Sequence, residues 1–101
     1  MREKRSYYRK VIDLPVEFSV VGESVRLAGT CRNLSLGGLH IETETPAPFG
    51  AQITIHLPLP GLGPEGLPGI VRWVKPHQMG VQFGLLGARE TYALTKALAT
   101  G

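Results

Sequence analysis

The sequence contains one cysteine, Cys31, and no run of eighteen or more apolar residues. A single cysteine cannot form an internal disulfide, so a reducing compartment, the cytoplasm, is the simplest location. The absence of a long apolar run predicts that no segment spans a membrane. The charged N-terminus has no apolar stretch behind it, which argues against a secretory signal.

Groupings of catalytic or metal-binding residues are also scarce. The three histidines are His40, His56 and His77. They lie on different predicted elements and have no ligand-like spacing, which argues against a zinc site. Ser35 has no G-x-S-x-G turn around it, and Cys31 is expected to be a small buried residue. The glycine-rich stretch at 61–66 lacks the Lys-Ser/Thr pair of a phosphate-binding loop. We therefore predict a protein that is not an enzyme and holds no metal.

The length and composition predict one folded domain over residues 1–101. Apolar residues make up 43% of the chain and charged residues 19%, which is ordinary for a globular protein. A chain of 101 residues can bury a core of its own without much surplus stability.

Positive charge is concentrated at the start of the chain, in KRSYYRK (4–10). The first ten residues hold five cations and one acid, Glu3, whereas the net charge of the whole chain is +3. The rest of the chain is therefore nearly neutral. We expect residues 1–12 to form a flexible basic arm that contacts an anionic partner of limited size, because a long polyanion favours a broad basic face. A solubilising tail is the alternative.

Six stretches alternate apolar and polar residues, the pattern of half-buried strands: 14–20, 25–31, 39–43, 51–57, 69–75 and 79–83. The Pro/Gly-rich segment 58–69 is predicted to be a surface loop. A helix is expected near the end of the chain, where Leu94, Ala97 and Leu98 share one face. This order predicts a mainly β fold, an antiparallel barrel or sandwich over 13–84, whose open end is covered by a helix at 85–99.

Two polar motifs offer binding chemistry. Arg5 and Arg9 each present a rigid fork of donors that fits a phosphate or a guanine edge. In NLSLGG (33–38), Asn33 can donate and accept hydrogen bonds, Ser35 adds a hydroxyl, and the glycines allow a ligand close to the backbone. The alternative for the second motif is an Asx-type turn without a ligand.

The R-x-x-x-R of residues 5–9, ahead of the first predicted strand, and the N-x-S-x-x-G of residues 33–38, after the second, together resemble the PilZ domain family. Members of this family are bacterial receptors for the second messenger cyclic di-GMP. The resemblance covers nearly the whole chain, including the strands at 13–18, 37–43 and 72–83 and the closing helix. It implies a small six-stranded antiparallel β-barrel with a C-terminal α-helix and a flexible basic N-terminal arm.

The resemblance also implies roles for individual residues. The ligand-binding positions that match the two motifs are Arg5, Arg9, Asn33, Ser35 and Gly38, and further candidates are Lys4, Gly37 and Trp73. Lys4 stands where many members carry a third arginine, and a lysine lacks the planar fork. Trp73 matches a position where some members place an aromatic ring near the ligand, and ordinary packing on the barrel is the alternative.

By this resemblance the chain is a receptor or adaptor domain in signal transduction. It is expected to take one cyclic di-GMP or an intercalated pair, and to change its arm and surface so that an unidentified downstream protein responds. One alternative is a PilZ-like interaction domain that binds no nucleotide. The other is a small nucleic-acid-binding barrel, which is disfavoured because the basic residues are confined to the arm and no row of aromatics can stack successive bases.

Overall fold

Residues 10–99 are described by the computed structural model, and they form six strands followed by one helix. The elements are β1 (Lys10–Val20), β2 (Leu27–Leu34), β3 (Gly38–Glu42), β4 (Gln52–His56), β5 (Leu67–Lys75), β6 (Gln78–Phe83) and α1 (Ala88–Ala99). Neighbouring strands pair antiparallel and close into a barrel in the order β1-β2-β3-β6-β5-β4. This confirms the predicted six-stranded barrel with a C-terminal helix.

Several strand boundaries differ from the sequence-based expectation, two of them next to the predicted binding motifs. β1 begins at Lys10, so residues 10–12, which were assigned to the arm, belong to the barrel. β2 continues to Leu34, although Asn33 is a turn-forming residue, because Asn33 and Leu34 remain paired with both neighbouring strands. The arm residues 1–9 lie outside the part of the chain that the structure describes.

The core follows the alternation of the strands. In β1, Val16 and Phe18 are buried, whereas Glu17 between them is exposed. Leu94 and Leu98 of α1 join the same core cluster, so the helix contributes apolar side chains to the barrel interior, as predicted. Lys10 Nζ also donates a hydrogen bond to the carbonyl oxygen of Ala97 at 3.0 Å, which ties the start of β1 to the end of α1.

The Pro/Gly-rich segment is only partly a surface loop. Its Leu59 and Leu62 are half-buried and pack against the core, and Gly61 lies beside Ala93 of α1. Its last residues, 67–69, already belong to β5. The segment therefore adds apolar contacts to the barrel and to the helix.

Cys31 is fully buried, as expected for a small core residue. Burial raises the pKa of its thiol to about 12, although a backbone hydrogen bond with Asn33 that favours the thiolate acts in the opposite direction. A thiol that remains protonated at neutral pH is a poor nucleophile. Cys31 is therefore a packing residue.

The turn between β2 and β3 is held by the side chain of Ser35. The Ser35 hydroxyl accepts hydrogen bonds from the amides of Gly37 at 3.1 Å and Gly38 at 3.2 Å, and it donates to the carbonyl oxygen of Gly38 at 3.3 Å. The Phe83 amide donates to the carbonyl oxygen of Gly37. A side-chain-stabilised turn is thus present, and Ser35 rather than Asn33 provides it.

Gly38 is required by the approach of β6. A Cβ at this position would collide with the carbonyl oxygen of Val81, a backbone atom that cannot rotate away. We predict that Gly38→Ala lowers the free energy of unfolding by about 1–3 kcal/mol, the usual range for overpacking. Urea unfolding measures this change. Gly84→Ala is the matched control, because its added methyl group would meet Pro68 at an ordinary 3.4 Å; equal stability of the two variants would contradict the packing argument.

Candidate functional site

A cleft of about 390 Å³ lies on the outer face of the barrel, where the β2–β3 turn meets β5 and β6. Its lining consists of residues 33–40, Arg72, Trp73 and residues 80–84. The volume falls within the roughly 300–1,000 Å³ typical of small-molecule sites. The cleft therefore brings together the whole N-x-S-x-x-G motif and Trp73, which are far apart in the sequence.

One row of paired residues crosses the cleft from strand to strand. Asn33 pairs with Val11 on β1 and with His40 on β3, His40 pairs with Gly80 on β6, and Gly80 pairs with Trp73 on β5. Adjacent strands lie about 4.8 Å apart, so Asn33 and Trp73 are separated by roughly 14 Å across three strand spacings. The row places an amide, an imidazole and an indole side by side.

Two register shifts produce this alignment. One lies between Cys31 and Asn33 in the β2–β3 pair, and the other between Val71 and Trp73 in the β5–β6 pair. Each shift inserts one extra residue, an exposed arginine, into the strand. Arg32 is paired with Asp13 and Glu42, whereas Arg72 lines the cleft and donates from Nε to the side-chain oxygen of Gln82 at 2.8 Å.

Trp73 is half-buried and lies on the outside of the barrel. Its indole covers Gly80 so closely that a Cβ there would collide with the ring. The His40 ring meets the indole edge-to-face, with centroids 5.1 Å apart and an interplanar angle of 79°. The Lys75 ammonium lies 5.5 Å from the indole centroid, within the range of a cation–π contact. Trp73 therefore packs on the barrel surface, and its ring also forms part of the cleft wall.

The cleft favours an anionic ligand. Among its described lining residues there is no aspartate or glutamate, whereas Arg72 contributes a guanidinium and Lys75 lies close to Trp73. The Asn33 carboxamide is half-buried at the cleft, and within residues 10–99 no hydrogen bond engages it. Its donors and acceptor can therefore be used by a bound molecule.

The basic arm joins the barrel at this cleft. Lys10 pairs with Leu34, which lies between Asn33 and Ser35. Lys10, the first described residue, is therefore one strand away from the cleft-lining Leu34. The predicted ligand contacts Lys4, Arg5 and Arg9 themselves lie outside the described residues.

The structure also shows site residues that sequence reasoning did not select, namely His40, Arg72, Gly80 and Gln82. Alternation in β3 places His40 on the outer face, between the buried Leu39 and Ile41, but only the strand order and the two register shifts bring His40 and Arg72 beside Trp73. Over residues 10–99 there is no group of three or more His, Cys, Asp or Glu residues arranged to hold a metal ion. The one described helix is too short and too polar to cross a membrane.

Comparisons with known proteins agree with this geometry. The family model for the PilZ domain matches residues 3–98. The crystal structure of the PilZ domain of CeSA from a cellulose-synthesizing bacterium superposes with a TM-score of 0.74 at 18% identity, over 90% of this chain and 94% of that one. The Bacillus subtilis inhibitor of motility, MotI/DgrA, has the same TM-score and identity over 96% of this chain and 50% of its own.

The two structural likenesses establish the fold alone, because the sequence identities are only 18%. The chain also spans only half the length of MotI/DgrA. No curated protein matches the sequence. The family model, in contrast, covers almost the entire chain, including both motifs and the strands that align Asn33 with Trp73. The chain is therefore a member of the PilZ domain family.

Proposed function

We propose that this PilZ domain binds cyclic di-GMP in the cleft between the β2–β3 turn and Trp73, with the basic arm closing over the ligand. The observation that carries the proposal is the pairing of Lys10 with Leu34, which joins the R-x-x-x-R segment to the barrel next to the N-x-S-x-x-G turn. This pairing supports the proposal because it attaches the segment that carries the first motif beside the second motif, at a cleft of suitable size.

The reach of the arm supports this arrangement. An extended chain advances at most about 3.3–3.6 Å per residue, so Arg5, five residues before Lys10, can lie up to about 18 Å from it. From β1, where the arm is attached, to Trp73 on β5 the register row crosses four strand spacings, roughly 19 Å. Arg9 is thus suited to the Asn33 side of the cleft, and an extended arm brings the Arg5 backbone about as far as Trp73.

The chemistry of the cleft suits each part of the ligand. The guanidinium forks of Arg5 and Arg9 match phosphate oxygens and the O6 and N7 acceptors of guanine. The Asn33 carboxamide adds hydrogen bonds, and the exposed part of the Trp73 ring can stack on a base. Ser35 acts by shaping the turn, because its hydroxyl is engaged with Gly37 and Gly38. Lys4, Arg72 and Lys75 add positive charge toward the two phosphates.

The free-energy balance sets the expected affinity. Fixing the backbone of an arm residue costs on the order of 1–2 kcal/mol. Charge-assisted hydrogen bonds return roughly 1.5–3 kcal/mol each, and stacking adds to them. A micromolar dissociation constant, which is the affinity we expect, requires the contacts to exceed the ordering cost by about 8 kcal/mol.

The output is a changed surface. A ligand held between arm and barrel gives the basic segment a position that a downstream protein can recognise. The ligand is bound as one molecule or as an intercalated pair, and no chemistry is performed on it. We place this signalling role in the cytoplasm, where a chain with one buried thiol needs no disulfide.

Isothermal titration calorimetry tests the clamp directly. We predict that the wild-type protein binds cyclic di-GMP with a dissociation constant of about a micromolar or better, and that Arg5→Ala/Arg9→Ala lowers the affinity by at least about 100-fold, because two charge-assisted contacts are lost. The matched control is Arg26→Ala/Arg89→Ala, which removes two exposed arginines from outside the cleft lining. GTP serves as the nucleotide control.

Three results would count against the receptor assignment. If the wild type produces no binding heat with cyclic di-GMP, the alternative of an interaction domain without a nucleotide is favoured. If the two double variants lose affinity equally, the arm contributes only net charge. If random single-stranded DNA binds with a steep salt dependence and cyclic di-GMP does not compete, the chain is a nucleic-acid-binding barrel.

Trp73 provides a second test, because it is the only tryptophan in the chain. Removing a stacked aromatic ring costs roughly 1–3 kcal/mol per base, so Trp73→Ala is expected to weaken cyclic di-GMP binding by about 5- to 150-fold. Trp73→Phe retains a smaller ring, so its affinity for cyclic di-GMP should lie between those of the wild type and Trp73→Ala. In the wild type, ligand binding should change the intrinsic fluorescence; unaltered fluorescence at saturation would show that no base contacts the indole.

A further inference from the structure

The Trp73 indole is placed by neighbours from two other strands. From β6 it meets Gly80, which has no side chain and therefore leaves room for the ring on the barrel surface. From β3 it meets the His40 imidazole edge-to-face at 5.1 Å. Lys75, on the same strand as Trp73, places its ammonium 5.5 Å from the ring centroid.

These neighbours differ in how firmly they can hold the ring. Gly80 supplies backbone on one side only, and Lys75 is an exposed side chain with four rotatable bonds. His40 is half-buried in the middle of the register row, between Asn33 and Gly80, and its imidazole has only two side-chain torsions. Among these contacts His40 is therefore the rigid one that limits rotation of the indole toward the β2–β3 turn.

We propose that His40 is a positioning residue of this site: its ring fixes the Trp73 indole over Gly80 and thereby sets the plane on which a guanine base stacks. The proposal rests on the proposed binding of cyclic di-GMP and adds the residue that orients the stacking surface. His40 acts through Trp73, and an uncharged aromatic ring at position 40 should perform the same role.

The placement of His40 explains why this residue in particular would orient the Trp73 indole. It lines the cleft directly, one strand away from Asn33 and two strands away from Trp73, with Gly80 between them. A larger residue at position 80 would occupy the space of the indole, and a small residue at position 40 would leave the adjacent edge of the ring without support. The imidazole and the missing side chain of Gly80 together define one orientation of the ring.

The first measurement needs no ligand. The single indole Nε1–H of Trp73 gives one resolved NMR signal, and its nuclear Overhauser contact to the Gly80 α-protons reports whether the ring lies over Gly80. We expect this contact in the wild type and in His40→Phe, and we expect its loss in His40→Ala and His40→Gln. His56→Ala is the matched control, because His56 is also half-buried on the barrel exterior but lies on β4, outside the cleft.

The second measurement is calorimetry of the same variants with cyclic di-GMP. His40→Ala and His40→Gln should weaken binding by about 2- to 10-fold, the contribution of an aromatic pair of this geometry. His40→Phe and His56→Ala should bind like the wild type. Thermal melting of each variant verifies that it is folded, and His40→Gln replaces His40→Ala if the alanine variant is not.

Different outcomes separate this proposal from the proposed function. If the wild type does not bind cyclic di-GMP, the proposed function fails, and the ligand-free spectra still decide whether His40 positions the indole. If the indole contact survives in both His40→Ala and His40→Gln, the positioning role is wrong. If His40→Phe keeps the contact but binds as weakly as His40→Ala, His40 acts on the ligand itself, which also overturns the proposal.

Discussion

Strand register is the constraint on which the site depends. In a barrel, a one-residue slip moves a side chain from the core face to the solvent face, so register is held firmly by buried residues such as Leu34 and Val81. The register shifts before Asn33 and before Trp73 each add one residue to a strand without displacing these buried residues. They turn the polar residues into one row on the outer face, while Cys31, Leu34 and Val71 remain in the core.

The same packing determines where the arm can act. Gly38 lets β6 approach the β2–β3 turn, and Ser35 holds that turn closed with its hydroxyl. β1 begins beside this turn and is tied through Lys10 to the end of α1. Core packing, turn geometry and helix position therefore all fix the point from which the R-x-x-x-R segment extends. Such a fixed point suits the proposed clamp, because the effective concentration of the arm at the cleft depends on the length of chain between them.

The sequence predicts the architecture better than the site. Period-2 alternation identifies six strands because each has one buried face, and the apolar face of residues 94–98 identifies the helix. The extra residue at each register shift, Arg32 or Arg72, carries no compositional signal, so the proximity of His40 to Trp73 could not be inferred. Asn33 suggested the end of a strand, yet its pairing with both neighbours outweighs its turn propensity. The prediction that the arm and the β2–β3 turn contact the same ligand comes from the resemblance to PilZ domains, because the spacing of the residues alone does not connect the two segments.

The most direct test of the account is a chemical-shift map of the backbone amides during titration with cyclic di-GMP. With cyclic di-GMP bound in the cleft, we expect the largest changes on residues 33–40, 72–73 and 80–84 and on the arm, while the opposite end of the barrel around the β1–β2 connection remains unaffected. Changes centred on that opposite end, or no changes at saturating ligand, would contradict the assignment of the cleft as the cyclic di-GMP site.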